Sequence, residues 1–245
     1  SDIFAIGGIG RSTLGLVYRF FFAGSVANEL IKQQCQHLHI HFAHVPTDIG
    51  MYAASLIDIP FSVTAHANDI FERGSLLKEK IERAKFCATI SDFNRDYLVS
   101  IGGEKEKIKI IRCGINGQDF SPRSRSSKNT LKIGSLGRLV EKKGFNILLQ
   151  SCASLKSKSI DFKLEIAGSG PLEADLRAQA LQLGIESNVE FLGPLRHSEV
   201  RSWMQSLSMF VLACQKDSRG DMDGIPVVLM EAMGLGVPVI STKIT

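Results

Sequence analysis

At 245 residues and 44% apolar composition, the chain has enough material for a packed core in one large domain or two smaller ones, which excludes a disordered protein. Its net charge of +4 is local: Arg123, Arg125, Lys128 and Lys132 against Asp119 supply three of the four excess charges, so the rest is nearly balanced and carries no nucleic-acid footprint. The five cysteines, Cys35, Cys87, Cys113, Cys152 and Cys214, are odd in number, widely spread and without a C-x-x-C pair, which excludes a disulfide framework or zinc knuckle and fits a reducing cytosol.

In chain order, Gly7-Gly8-Ile9-Gly10 has no strong strand before it and no G-x-G-x-x-G spacing, so it resembles a nucleotide loop only superficially. The apolar run at 14–27 is broken by Arg19 and Gly24, is short for a membrane span and lacks signal-peptide flanks. It predicts a helix over about 14–34, packed in the domain in preference to lying on a surface. Strands are predicted at 37–42, 61–65, 86–90 and 108–112, with helices at 48–56, 74–83 and after a cap at Ser91 or Asp92. The polar, basic stretch at 119–130 reads as a linker. The pattern then restarts, with strands at 131–137, 162–168, 189–193, 209–213 and 237–241, and helices at 145–156, 171–183, 198–207 and 226–233. Strand–helix alternation of this kind predicts an α/β protein with two doubly wound parallel sheets, whose ligands lie beyond the carboxyl ends of the strands.

The loops after those strands carry the chemistry. Gly137-Arg138-Leu139-Val140-Glu141-Lys142-Lys143-Gly144 leads from strand to helix and offers Arg138 and Lys143 to a diphosphate, Arg as a fork and Lys as a point charge. Gly168-Ser169-Gly170-Pro171 either cups a phosphate or base or is only a turn. Before the last helix, Asp223 lies in a loop near free backbone N–H groups and Glu231 follows eight positions later, two turns in. The alternative there is a capped core helix with a solvated Glu. A P-loop is excluded, because no G-x-x-x-x-G-K-[ST] occurs. His37, His39 and His41 share one face of a strand, but residues at a period of two lie along a line rather than around an ion, so no metal site is expected.

Taken in order, Gly137-Arg138-Leu139 with Lys143-Gly144, Ala167-Gly168-Ser169-Gly170-Pro171-Leu172, Val189-Glu190-Phe191-Leu192-Gly193 and the 223–241 segment resemble the carboxyl-terminal domain of retaining glycosyltransferases of family 4. His41-Phe42-Ala43, Thr64-Ala65-His66-Ala67-Asn68-Asp69-Ile70, Ile90-Ser91 and Arg112-Cys113-Gly114-Ile115-Asn116 are similar to its amino-terminal signatures. The wording is closest to bacterial exopolysaccharide and colanic acid enzymes.

The resemblance implies a GT-B fold, two Rossmann-like domains facing a cleft: 1–118 on the acceptor side, a linker at 119–130, and a nucleotide-sugar domain at 131–245. It implies that the chain is a fragment of a longer enzyme. The reaction implied is metal-independent, cofactor-free transfer of a sugar from a nucleotide-diphosphate-sugar donor to a saccharide or lipid-linked acceptor, with retention. Arg138 and Lys143 would steady the departing nucleotide. Glu231 would hold its ribose, and Leu195 would meet the base. Asp223, with Gly224, Ile225, Pro226 and Val227, would face the donor sugar and phosphate, and Gly168 and Gly170 would line the donor site. His66 would position sugar and acceptor, with His44 and Asn68 on the acceptor side. The sequence departs from the family pattern at Asp223, where a Glu is usual and the side chain is one methylene shorter. A cytoplasmic enzyme is expected, with peripheral membrane contact through the apolar N-terminal run and no nucleic-acid partner. Two other readings remain: a nucleotide-sugar epimerase of the same architecture, whose acid and base residues are not found, and a nucleotide-binding module without activity.

Overall fold

Short apolar, β-branched stretches buried on both faces pair as parallel strands. The computed structural model describes residue 2 and residues 11–72, 74–120 and 130–244. The Gly7–Gly10 run and most of the expected linker lie outside these residues. Two compact units divide the chain, Ser1–Arg112 and Cys113–Thr245.

In the first unit, α1 (Arg11–Lys32), β1 (Leu38–His41), α2 (Val45–Leu56), β2 (Phe61–Thr64), α3 (Leu77–Arg83), β3 (Cys87–Thr89), α4 (Asp92–Ser100) and β4 (Ile108–Ile110) alternate. The four strands are parallel in the order β1-β2-β3-β4. Ile40, Met51, Val63, Ile70, Ile81 and Leu98 fill the core between sheet and helices. Ser91 opens α4, its hydroxyl accepting from the Asn94 N–H at 3.2 Å.

The small residues of α1 pack inward, Ala23, Ala27 and Leu30 meeting Ala53 of α2. The rest of the helix is different: Leu14 is 71% and Phe21 73% exposed, with Tyr18 and Phe22 open beside them. Over Leu14–Lys32 it is long and apolar enough to cross a membrane by length and composition, yet only 17% of that stretch is buried. The expectation of a packed helix therefore holds for one face only.

Beneath the sheet end lies a buried ion chain. Arg19 pairs with Asp48 at 2.7 Å and Asp48 with Lys80 at 2.8 Å, while the Lys80 ammonium also donates to the Ala43 and Ser75 carbonyls, each at 2.7 Å. Burial pushes the Lys80 pKa down, and Asp48 offsets this only in part. Asp69, fully buried in a π-helical turn at Asn68–Glu72, accepts from the Ala43 N–H at 2.8 Å and the His66 N–H at 2.9 Å. The loops after β1 and β2 are thus fixed to one another by charge-assisted bonds rather than by apolar packing.

The second unit contains β5 (Leu131–Leu136), α5 (Phe145–Ser157), β6 (Phe162–Ala167), α6 (Glu173–Gln182), β7 (Val189–Gly193), α7 (His197–Ser206), β8 (Met209–Leu212), α8 (Val227–Gly234) and β9 (Val239–Ser241). Its parallel sheet runs β7-β6-β5-β8-β9. The chain steps outward from β5 to β7, then returns to the other side of β5 for β8 and β9. Strand order therefore reverses between β5 and β8, the position where open α/β sheets hold ligands. The first sheet, with its strands in sequence order, has no such reversal among the described residues.

Candidate functional site

The loops leaving β5 and β8 meet at this reversal, and they contain Arg138, Lys143, Asp223, Gly224, Ile225 and Pro226 of the residues singled out in the sequence. Gly144 makes the meeting possible. Its φ is +64°, and a Cβ there would fall 1.7 Å from the Ala213 carbonyl oxygen just past β8. The Lys142 carbonyl accepts from the Gln215 N–H at 2.9 Å, and Glu141 accepts from the Ser218 N–H and hydroxyl. Lys142 donates to buried Asp221 at 2.8 Å. Burial works against its charge, but Asp221 and Asp223 outweigh burial and raise the Lys142 pKa.

Lys143 lies against Asp223, its ammonium 2.6 Å from the carboxylate. These residues are eighty apart in sequence, and the fold brings them together. The Lys143 stem runs beside Gly137, at the end of β5. The Cys214 thiol, pushed up to about 11 by burial and by Asp223, keeps its proton and donates to Asp223 at 3.5 Å. Arg138 is exposed, and no carboxylate pairs with it among the described residues. The site thus combines two neutralised cations, Lys142 and Lys143, with one available cation, Arg138.

The glycine turn after β6 packs on the turn after β5. A Cβ on Gly168, whose φ is +121°, would sit 2.0 Å from the Gly137 carbonyl oxygen, and one on Gly170 would sit 2.5 Å from that of Leu139. The Leu139 N–H donates to the Ser169 carbonyl at 2.9 Å, and the Gly168 N–H donates to that of Gly193 at 2.8 Å. The turn is thus more than punctuation: it welds the ends of β5, β6 and β7 together. Leu195 follows β7, half-buried.

Helix α8 starts one residue later than expected. Pro226 is its N-cap, with extended backbone, and no side chain caps the helix. Asp223 is therefore not a cap; it is committed to Lys143. The first N–H groups of α8, beside Gly224 and Ile225, have no side-chain acceptor among the described residues. Glu231 is half-buried in the second turn, and its carboxylate makes no ion pair or hydrogen bond among the described residues.

In the first unit, His66 sits just past β2. Its ring stacks on His41, centroids 6.1 Å apart, and tilts against Phe42 at 5.0 Å. His44 accepts from the Val45 N–H through Nδ1 at 2.8 Å and stacks on Phe42 at 5.7 Å. Asn68 donates to Glu72 within the π-helical turn. The His39 and His41 rings stand edge to face at 5.2 Å, and His39 bonds Ser62 and Thr64. Among the described residues no three His, Cys, Asp or Glu side chains converge as a metal site would.

Comparison with known proteins adds a family. Residues 117–245, more than half of the chain, match the family described as "Glycosyl transferases group 1". A protein of Escherichia coli strain K12 named as a colanic acid biosynthesis glycosyltransferase, WcaL, is 37% identical over 180 residues, 73% of this chain and 42% of that one. The amylovoran biosynthesis glycosyltransferase AmsK of Erwinia amylovora is 33% identical over 185 residues, 73% and 46% of the two chains. This chain thus spans less than half the length of these two relatives. Among solved structures, sucrose-phosphate synthase of Thermosynechococcus elongatus superimposes with a TM-score of 0.76 at 18% identity, over 96% of this chain and 63% of that one. Anabaena HepE in complex with UDP-glucose gives 0.72 at 18% identity, over 90% and 63%. The likeness to these structures is one of fold, the two-sheet GT-B architecture.

Proposed function

From the premise that the chain belongs to the group 1 glycosyl transferase family, we propose that it transfers a sugar from a nucleotide-diphosphate-sugar to a saccharide or lipid-linked acceptor in exopolysaccharide synthesis. Transfer in this reading is metal-independent and proceeds with retention, as for family 4 enzymes. The observation that carries it is the cluster at the β5/β8 reversal: Arg138, Lys143 and the uncapped N-terminus of α8 converge on the carboxyl ends of the strands.

Positive charge and free N–H groups suit a diphosphate, and a carboxylate two turns along α8 suits ribose hydroxyls. Lys143 changes partner in this scheme, leaving Asp223 for the donor's phosphates. Asp223 then turns toward the sugar from the loop before α8, with a side chain one methylene shorter than the usual Glu. Arg138 and Lys143 together neutralise the charge that develops on the departing nucleoside diphosphate. Names of relatives support the pathway: colanic acid and amylovoran are the products for which WcaL and AmsK are named.

Isothermal calorimetry with UDP, GDP and ADP, without metal, tests the donor site. One diphosphate is expected to bind, and Glu231→Ala to weaken it by about 1–3 kcal/mol, the cost of leaving a buried hydrogen-bonding group without its partner. Binding of none, or equal affinity in Glu231→Ala, overturns the assignment.

Helix α1 supports a peripheral membrane contact on the cytoplasmic face, where a lipid-linked acceptor would be met. Its open aromatic face is the type of surface that inserts at a lipid headgroup boundary. Co-sedimentation with anionic liposomes at low salt is expected, and to fall when Tyr18 and Phe21 are both replaced by Ser. Binding that is absent, or unchanged in that variant, rules the contact out.

A further inference from the structure

Phe42 is in the left-handed region, with φ +73°. For a bulky residue this is a true outlier, and such strain persists only where surrounding structure over-determines it. Here it is over-determined. The Phe42 N–H donates to the Thr64 carbonyl at 3.0 Å, and its own carbonyl accepts from the Thr47 hydroxyl at 2.8 Å. Next to it, Ala43 is held on both sides of its peptide, its N–H by buried Asp69 and its carbonyl by buried Lys80. Burial does not explain the strain, because Phe42 is 47% exposed.

The effect is to place an aromatic ring where it joins a continuous patch. The rings of His41, His66, Phe42 and His44 touch in series at the carboxyl end of β1 and β2. Among the described residues the His66 ring nitrogens make no hydrogen bond. An open aromatic face beside free imidazole nitrogens matches one ligand chemistry well. A pyranose ring offers an apolar face of C–H groups to the negative face of an arene and hydroxyls at its rim to nitrogen donors and acceptors.

We infer that Phe42, with His66 beside it, is a stacking platform for a hexopyranose ring in the first unit. The inference rests on the glycosyltransferase reading above and adds to the sugar-positioning role that the resemblance implied for His66 a stacking contact, Phe42, that the sequence did not assign. The pyranose belongs either to a free acceptor saccharide or to the donor, and the test separates these sources.

Saturation-transfer NMR on the full chain, with methyl α-glucopyranoside, methyl α-galactopyranoside, methyl α-mannopyranoside and UDP-glucose, reads contact with the sugar ring. Wild type and Phe42→Tyr are expected to saturate the ring protons of at least one probe, and Phe42→Gly to lose at least fivefold of that signal. Phe42→Gly removes the ring and the positive-φ penalty together, so it keeps its fold, and a thermal melt close to wild type verifies this. A signal from a methyl glycoside assigns the platform to the acceptor; a signal from UDP-glucose alone assigns it to the donor sugar. Equal ring saturation in Phe42→Gly, or none from any of the four probes in wild type, overturns the platform. UDP calorimetry on the same samples keeps the two ideas apart. Intact nucleotide binding without a sugar contact removes the platform alone, whereas absent nucleotide binding strikes the donor-site reading and leaves the NMR result to stand by itself.

Discussion

Lys143→Ala is expected to slow release of nucleoside diphosphate from a nucleotide-sugar donor by about 10²–10³-fold, the usual cost of losing one group that stabilises developing negative charge. Melting temperature should fall as well, because both side chains of the Lys143–Asp223 pair are largely buried, 17% and 15% exposed, and the substitution takes away the nearest cation of the Asp223 carboxylate. The loss has two parts. One is the missing cation, and the other is Asp223, which then faces the donor phosphates with Lys142, 3.7 Å away, and the Cys214 thiol as its partners among the described residues. A double-mutant cycle separates them: Lys143→Ala/Asp223→Asn should recover part of the diphosphate affinity lost in Lys143→Ala. A transfer rate equal to wild type in Lys143→Ala removes this lysine from the reaction.

Its neighbour acts on the fold. Gly144→Ala is expected to destabilise by about 3–5 kcal/mol, a left-handed penalty of 1–2 plus the larger cost of forcing backbone apart in a packed region. The cause is the Ala213 carbonyl, 1.7 Å from the new methyl group. Gly184 is the matched control: its φ is +66°, yet nothing lies within 4 Å of its Cβ position. Gly184→Ala should therefore cost only about 1–2 kcal/mol, the conformational part. Denaturant unfolding of the two variants measures the difference. Equal losses would show that the β5 and β8 loops are not locked through Gly144.

Much of the architecture is legible in the sequence because parallel strands buried on both faces read as apolar runs, and β7 coincides with its predicted range. Helix starts are also local matters, as Ser91 shows. Pro226 is misplaced by one residue for a physical reason: proline's fixed φ suits both the last extended residue and the first helical one, and only ψ distinguishes them. What is not legible is pairing over distance. Nothing in the 137–144 loop announces that Lys143 will meet Asp223, nor that Asp69 and Lys80 will hold Ala43. The strain at Phe42 is invisible for the same cause, since no local preference puts a phenylalanine at positive φ and only the contacts around it do. The motif His41-Phe42-Ala43 marked the place without the conformation. The π-helical turn is equally silent, because buried Asp69 stands among His66, Asn68 and Glu72 and nothing local marks it as the one that turns inward.

The turns after β5, β6 and β7 are joined backbone to backbone through Gly168 and Gly170, with no space left for a side chain at either position. This restricts how such a unit can acquire a new donor. Changes that would reshape the floor of the site by filling those glycines are closed to it, because they would pry the sheet ends apart. Side chains beside them that can vary without touching the weld include exposed Ser169 and half-buried Leu195, whereas Arg138 is kept, in the proposed reaction, for the diphosphate common to all such donors. Within these three turns, a shift from one nucleotide or sugar to another is open to such side chains and closed to the glycines, a change of lettering on a rigid frame.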